Sequence, residues 1–175
     1  MALPGLLIEY LVSGALAFAW LLPLLQHRLS VVEAPYLPVF LLLLYVLGMA
    51  IDFLAWWATR LPKHWIRAWV YRKYRGPGAI DNESGTLRAA KIGFYAPELA
   101  KELAMRSSRD RIARGAIINA LLAAIFHLPW WAGVSAVAFT VTLWASFERL
   151  SYGYELCAEQ IVDEQHQREQ AKRVA

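Results

Sequence analysis

One cysteine, Cys157, stands in the whole chain. An internal disulfide is therefore excluded, and no CxxC pair exists for dithiol redox work or zinc binding. Charge is scarce as well. Asp, Glu, Lys and Arg make up 18% of the residues, against about a quarter in soluble domains. Hydrophobic residues make up 58%, which points to a bilayer rather than water as the surrounding solvent. The chain lacks an HExxH pair for a zinc protease, a GxSxG nucleophile elbow, a phosphate-cradling glycine loop and the repeated Asp clusters of lipid-phosphate transferases. A net charge of +4 without a reader motif gives no ground for nucleic-acid binding. No catalytic residue, metal ligand or cofactor is assigned.

The charge that is present is unevenly placed. Residues 59–114 hold 13 of the 18 Lys and Arg, and the segments on either side are apolar and nearly free of charge. Basic residues beside membrane spans stay on the cytoplasmic side, so this segment is read as the inside face. Four apolar runs then serve as spans: residues 6–25, 37–57, 114–127 and 131–147, a helix needing roughly 20 residues to cross the hydrocarbon. The last two are short, which leaves a re-entrant hairpin as the alternative. Trp130 and Trp131 belong at one interface, and Trp56 and Trp57 at the other. The expectation is an all-α integral membrane protein with four transmembrane helices and both termini cytoplasmic, of the kind found in a bacterial inner membrane. Ala17-Phe18-Ala19 resembles a signal-peptide cleavage site, but residues 1–5 carry no Lys or Arg and Glu9 interrupts the apolar run.

This gives a first hairpin over 1–58, a cytoplasmic basic segment over 59–113, a second hairpin over 114–147 and a cytoplasmic C-terminal helix over 148–175. Within the basic segment, Trp65, Ile66, Trp69 and Val70 share one helical face over 60–75, with Lys63 and Arg67 opposite. That pattern predicts an amphipathic helix in the headgroup plane, its Trp side chains at the boundary and its cations toward anionic lipid phosphates; a solvated linker helix is the plainer alternative. Residues 76–96 are Gly-rich and polar and read as loop. Pro97 and Glu98 suit the first turn of a helix of about 30 residues that continues into the third span. The fourth helix is expected to extend inward too, with Leu150, Tyr154, Cys157 and Ile161 as an apolar seam. These extensions of the third and fourth helices form a cytoplasmic stalk. Arg106, Arg109, Arg111 and Arg114 on one would face Glu148, Glu155 and Glu159 on the other, unless the arginines are ordinary positive-inside anchors.

Ionisable groups inside spans are costly and are functional candidates. Depth groups Glu9, Asp52, Asn119 and Glu148 in a polar layer near the cytoplasmic leaflet, either as a working site or as polar glue between helices. His127 stands apart beside Pro129. Small residues at Ser13, Gly14, Ala15 and Ala17, and at Gly133, Ser135, Ala136 and Ala138, permit close helix approach within one chain or in a homo-oligomer. A secondary transporter would show matched interrupted helices in its two halves, and none are found. The leading expectation is an oligomeric, membrane-embedded effector or channel-like subunit controlled through its stalk. The alternative is a membrane anchor that recruits a soluble cytoplasmic partner, and a lipid-phosphate enzyme ranks last.

Overall fold

A computed structural model describes residues 3–25, 37–81 and 83–174. The described residues form five helices and no strand: α1 (Leu3–Leu25), α2 (Leu37–Arg75), α3 (Gly85–Tyr95), α4 (Pro97–Phe126) and α5 (Trp130–Val174). Two of them, α2 and α5, are long and apolar enough to cross a membrane, while the apolar run of α1, Leu7–Pro23, is shorter. The expected outer loop at 26–36 lies outside the described residues. The chain divides into two compact units, one of Met1–Leu61 with Ser108–Ala145 and one of Pro62–Ser107 with Ser146–Ala175.

The first unit is held by close helix approach. A Cβ added at Gly14 would lie 1.8 Å from the Leu44 carbonyl oxygen, and one at Gly48 would lie 1.9 Å from that of Tyr10. Backbones of α1 and α2 therefore touch where only hydrogen fits. Below this crossing Ala17, Ile51, Ala55 and Ile118 are buried together, with Trp20, Leu47 and Leu122 packed around them. Gly133 repeats the device between α5 and α4, where an added Cβ would meet that of Ala124 at 2.7 Å. Ser13, Gly14, Ala17 and Gly133 thus serve contacts within this chain. Pro129 ends α4 and opens α5: the backbone N–H groups of His127 and Leu128 both reach the Ala123 carbonyl, and Gly133 N–H reaches that of Pro129.

The second unit has two small cores. Val70, Tyr152 and Leu156 bury one another beside Ile66 and Tyr71, and Ile92, Ala158 and Val162 do so beside Leu99 and Leu103. Three sequence expectations are corrected here. Residues 60–75 are not a separate interfacial helix but the last turns of α2, which runs on through Pro62. A proline removes one backbone donor, and the packing of Ile66 and Val70 outweighs that loss. The stretch 76–96, read as loop, contains α3. Ser84 caps it by accepting from Leu87 N–H at 3.2 Å, and burial of Arg88 and Ile92 overcomes the low helix propensity of Gly85 and Gly93. The seam of Leu150, Tyr154, Cys157 and Ile161 does not form, since Leu150 is 62% exposed and Ile161 47%. The buried face is that of Glu148, Tyr152, Leu156, Glu159 and Val162.

Breaks between elements have local causes. Gly76, at φ +104°, closes α2 by donating its N–H to the Arg72 carbonyl at 3.0 Å, a left-handed cap that side chains with a Cβ rarely adopt. Ala96 N–H bonds the Ile92 carbonyl while Ala96 itself accepts from Ala100 N–H, so a single residue ends α3 and starts α4. Pro97 forces this break, because it has no N–H and disfavours helical geometry in the residue before it.

Candidate functional site

Two ionic clusters, one in each unit, gather most of the candidate residues. In the first unit α4 supplies two arginines to the acids of α1 and α2. Arg111 Nε lies 2.9 Å from Glu9 Oε2, and Arg114 donates to Asp52 Oδ1 at 2.6 Å. Glu9 and Arg114 are buried. Two turns further along α4, Asn119 donates to the Ser13 carbonyl at 3.2 Å and accepts from Trp20 Nε1 at 3.1 Å. His127 Nε2 meets the Trp20 carbonyl at 2.5 Å. The cavity bordered by Glu9, Ser13, Asp52 and Arg111 holds about 10 Å³, room for one water molecule at most. Glu9 and Asp52 border one small cavity, whereas Asn119 bonds Ser13 and Trp20 further along α4 and Glu148 belongs to the second unit.

In the second unit α5 supplies the acids. Glu148 is buried and meets Lys63 at 3.0 Å and Arg67 at 2.5 Å, both from α2. One turn on, the Tyr152 ring lies near the Arg67 and Arg88 guanidinium carbons, at 4.9 and 5.8 Å, and its hydroxyl donates to Asp81. Arg88 of α3, 1% exposed, is the centre of the cluster. It lies 2.8 Å from Asp81, 3.2 Å from Glu159, 3.4 Å from Glu155 and 3.9 Å from Glu83. Arg75 also reaches Glu159 at 3.3 Å, and Lys91 reaches Asp163 at 2.5 Å. Arg88 occupies the place among the carboxylates that a cation would take. Among the described residues no group of three or more His, Cys, Asp or Glu side chains is arranged to hold a metal ion.

The electrostatics follow from this geometry. Burial works against the Asp81 carboxylate, but hydrogen bonds from Arg88 and Tyr152 outweigh it and hold the pKa below the ordinary aspartate value. The Glu83 carboxyl is pushed up, first by its hydrogen bond with the Glu159 carboxyl and then by burial. Burial likewise works against the Arg88 cation, yet the Asp81 hydrogen bond and the Glu159 charge more than offset it and raise the pKa. Lys91 is raised by its bond to Asp163. Asp81, Arg88 and Lys91 are thus each favoured in the charged form by an oppositely charged neighbour, whereas the Glu83 carboxyl stands against that of Glu159.

No known protein family, curated protein or solved structure matches this chain. The site therefore rests on its own geometry.

The expected pairing of α4 arginines with α5 acids is not what the structure shows. Arg111 and Arg114 turn to Glu9 and Asp52, Arg109 is exposed, and Arg106 bonds Glu102 at 3.1 Å while covering the Tyr154 ring at 4.3 Å. Glu155 and Glu159 pair instead with α3 and α2. Arg67 and Lys63, expected on lipid, are spent on Glu148, whereas Trp65 and Trp69 remain exposed. Sequence reasoning missed Asp81, Arg88 and Tyr152 altogether. One signal was present: Glu148, Tyr152, Glu155 and Glu159 repeat at a 4-3-4 spacing, a helical stripe like the apolar one that was sought.

Proposed function

We propose that the chain is a four-span integral membrane protein, with both termini cytoplasmic, that anchors its second unit as a helical module for a soluble partner. One observation carries this over a conducting role. The intramembrane acids Glu9 and Asp52 are each bound to an arginine, around a cavity of only about 10 Å³. Such a layer is suited to fixing helices in register. Exposed Val39, Leu42, Phe53, Trp57, Val134 and Phe139 suit contact with lipid tails. In the second unit α3 buries Arg88 and Ile92 and leaves Leu87 and Phe94 60% and 80% exposed, an apolar face suited to a protein partner.

An oligomeric, channel-like assembly is the second reading, favoured by a groove of about 510 Å³ in the first unit. It is lined by small residues of α1, α4 and α5, with Asn119, His127 and Thr140 as its polar members. Proteoliposome ion flux separates the two. The anchor reading expects flux no greater than in empty liposomes. Flux above that level, altered by Glu9→Gln or Asp52→Asn in assemblies of unchanged size, establishes the channel reading in its place.

A further inference from the structure

Most basic residues of the second unit are held by an acid: Lys63, Arg67, Arg75, Arg88 and Lys91 by acids of other segments, and Lys101, Arg106 and Arg168 by acids of their own helix. Arg72, Lys73 and Arg149 form no ion pair among the described residues, and all three are exposed. These three are not scattered. Lys73 Nζ lies 5.7 Å and the Arg149 guanidinium 5.0 Å from the centre of the Trp69 ring, and Arg72 and Lys73 line one cleft with Trp69. The cleft measures about 620 Å³, within the range of small-ligand sites. Its far wall is the turn after α2, where Gly76 and Gly78 take φ +104° and +91° and carry the chain round to Ile80. Ile80 is 74% exposed and Trp69 51% exposed.

From this juxtaposition we propose that the cleft of Trp69, Arg72, Lys73 and Ile80, with Arg149 against the Trp69 ring, is a binding site for the headgroup of an anionic phospholipid. Two cations without a carboxylate line the cleft and a third lies against its tryptophan, and the complementary ligand is an anion with more than one acceptor oxygen. A half-exposed indole beside those cations, with an exposed isoleucine opposite, adds an apolar lip that a freely soluble anion does not need. Tryptophan, cations and a bare aliphatic side chain together are the composition of a headgroup-level contact. The site rests on the membrane reading given above and gives it a lipid preference. It also replaces Lys63 and Arg67, which both turn to the buried Glu148, as the cations that meet lipid.

The test is native mass spectrometry of the full chain in neutral detergent, titrated with phosphatidylglycerol or with phosphatidylcholine of the same acyl chains. Preferential retention of the anionic lipid is expected. The combined substitution Arg72→Gln, Lys73→Gln and Arg149→Gln should weaken that retention about a hundredfold, each basic residue near an anionic surface contributing roughly fivefold. A control carrying Lys101→Gln and Arg168→Gln, at two exposed cations away from the cleft, should retain wild-type affinity. Equal retention of the two lipids by the wild-type chain overturns the proposal without reference to any variant. So does displacement of bound phosphatidylglycerol by millimolar inorganic phosphate or glycerol phosphate, which would make the cleft a site for a soluble anion. Resistance of the chain to extraction from membranes by alkaline carbonate is scored separately. A chain that is membrane-integrated but shows no lipid preference refutes the site alone, and a chain that is extracted refutes the membrane reading itself.

Discussion

Replacing Arg88 by methionine keeps an unbranched aliphatic stem and removes the charge that four carboxylates surround. Removing one partner of a buried ion pair costs about 3–5 kcal/mol, because the remaining charges stay desolvated. Two features place Arg88 at the lower end. The Asp81 and Glu83 side chains are 25% and 27% exposed, so water partly rehydrates them, and Glu83 stands at 3.9 Å. Glu155 and Glu159, at 14% and 7%, have no such relief, although Arg75 still holds Glu159. A loss of about 3 kcal/mol is expected, or roughly 6–12 °C in the unfolding midpoint for a chain of this size. Arg88→Lys keeps a charge but cannot reach several acids in a fixed fork, and should cost about 1–2 kcal/mol. The assay is thermal unfolding of the full chain in neutral detergent, followed by helical circular dichroism at neutral pH and again near pH 4.5. Protonation of the crowded carboxyls at the lower pH should narrow the gap between Arg88→Met and wild type. The reasoning is refuted if Arg88→Met shifts the midpoint by less than about 3 °C, or if the gap widens on acidification.

Other expectations follow from single contacts. Gly48→Ala sets a methyl group 1.9 Å from the Tyr10 carbonyl, so α1 and α2 must separate. A loss of about 1–3 kcal/mol is expected from thermal scans, while Gly93→Ala, with nothing near its Cβ, should be neutral or slightly stabilising. Asp52→Asn and Arg114→Met should each destabilise the first unit, with the double variant much less impaired than their sum; strict additivity in the cycle would mean that the two do not interact. Asp81 has a depressed pKa, so its contribution is present above the ordinary aspartate value and is lost as pH falls through the folded-state value. Asp81→Asn should therefore lie below wild type at neutral pH and converge with it in acid. Glu83 has a raised pKa, so its contribution is present in acid and lost as pH rises. Glu83→Gln should accordingly gain on wild type above the ordinary glutamate range, as read from the same pH series.

Much of the architecture was legible because it depends on local signals. Pro97 with Glu98 marks a helix start that needs no tertiary contact, and α4 begins there. Pro129 between two apolar runs likewise separates α4 from α5. The misses share one cause. Proline at 62 and glycines at 85 and 93 carry local penalties of a few kcal/mol at most, and packing of Ile66, Val70, Arg88 and Ile92 decides those segments instead. The seam on α5 was misread because its burial was assigned to the apolar residues and its acids were paired with arginines of α4. Glu148 and Glu159 are buried since cations of α2 and α3 neutralise them, a fact no one-segment pattern contains. In the candidate site, the nearness of Glu9 and Asp52 was readable from depth along antiparallel spans, but their arginine partners and the separate bonding of Asn119 were not, because pairing depends on which faces of α1, α2 and α4 meet.

The proposed topology is tested most directly by mapping which positions face the outside of the cell. In a Cys157→Ser background, Ser30→Cys, Thr86→Cys and Gln167→Cys would each be exposed to a membrane-impermeant maleimide, before and after permeabilisation. Four spans with the basic segment inside predict labelling of position 30 in intact cells, and of positions 86 and 167 only once the membrane is opened. Labelling of position 86 or 167 in intact cells, or protection of position 30 until permeabilisation, would contradict the account.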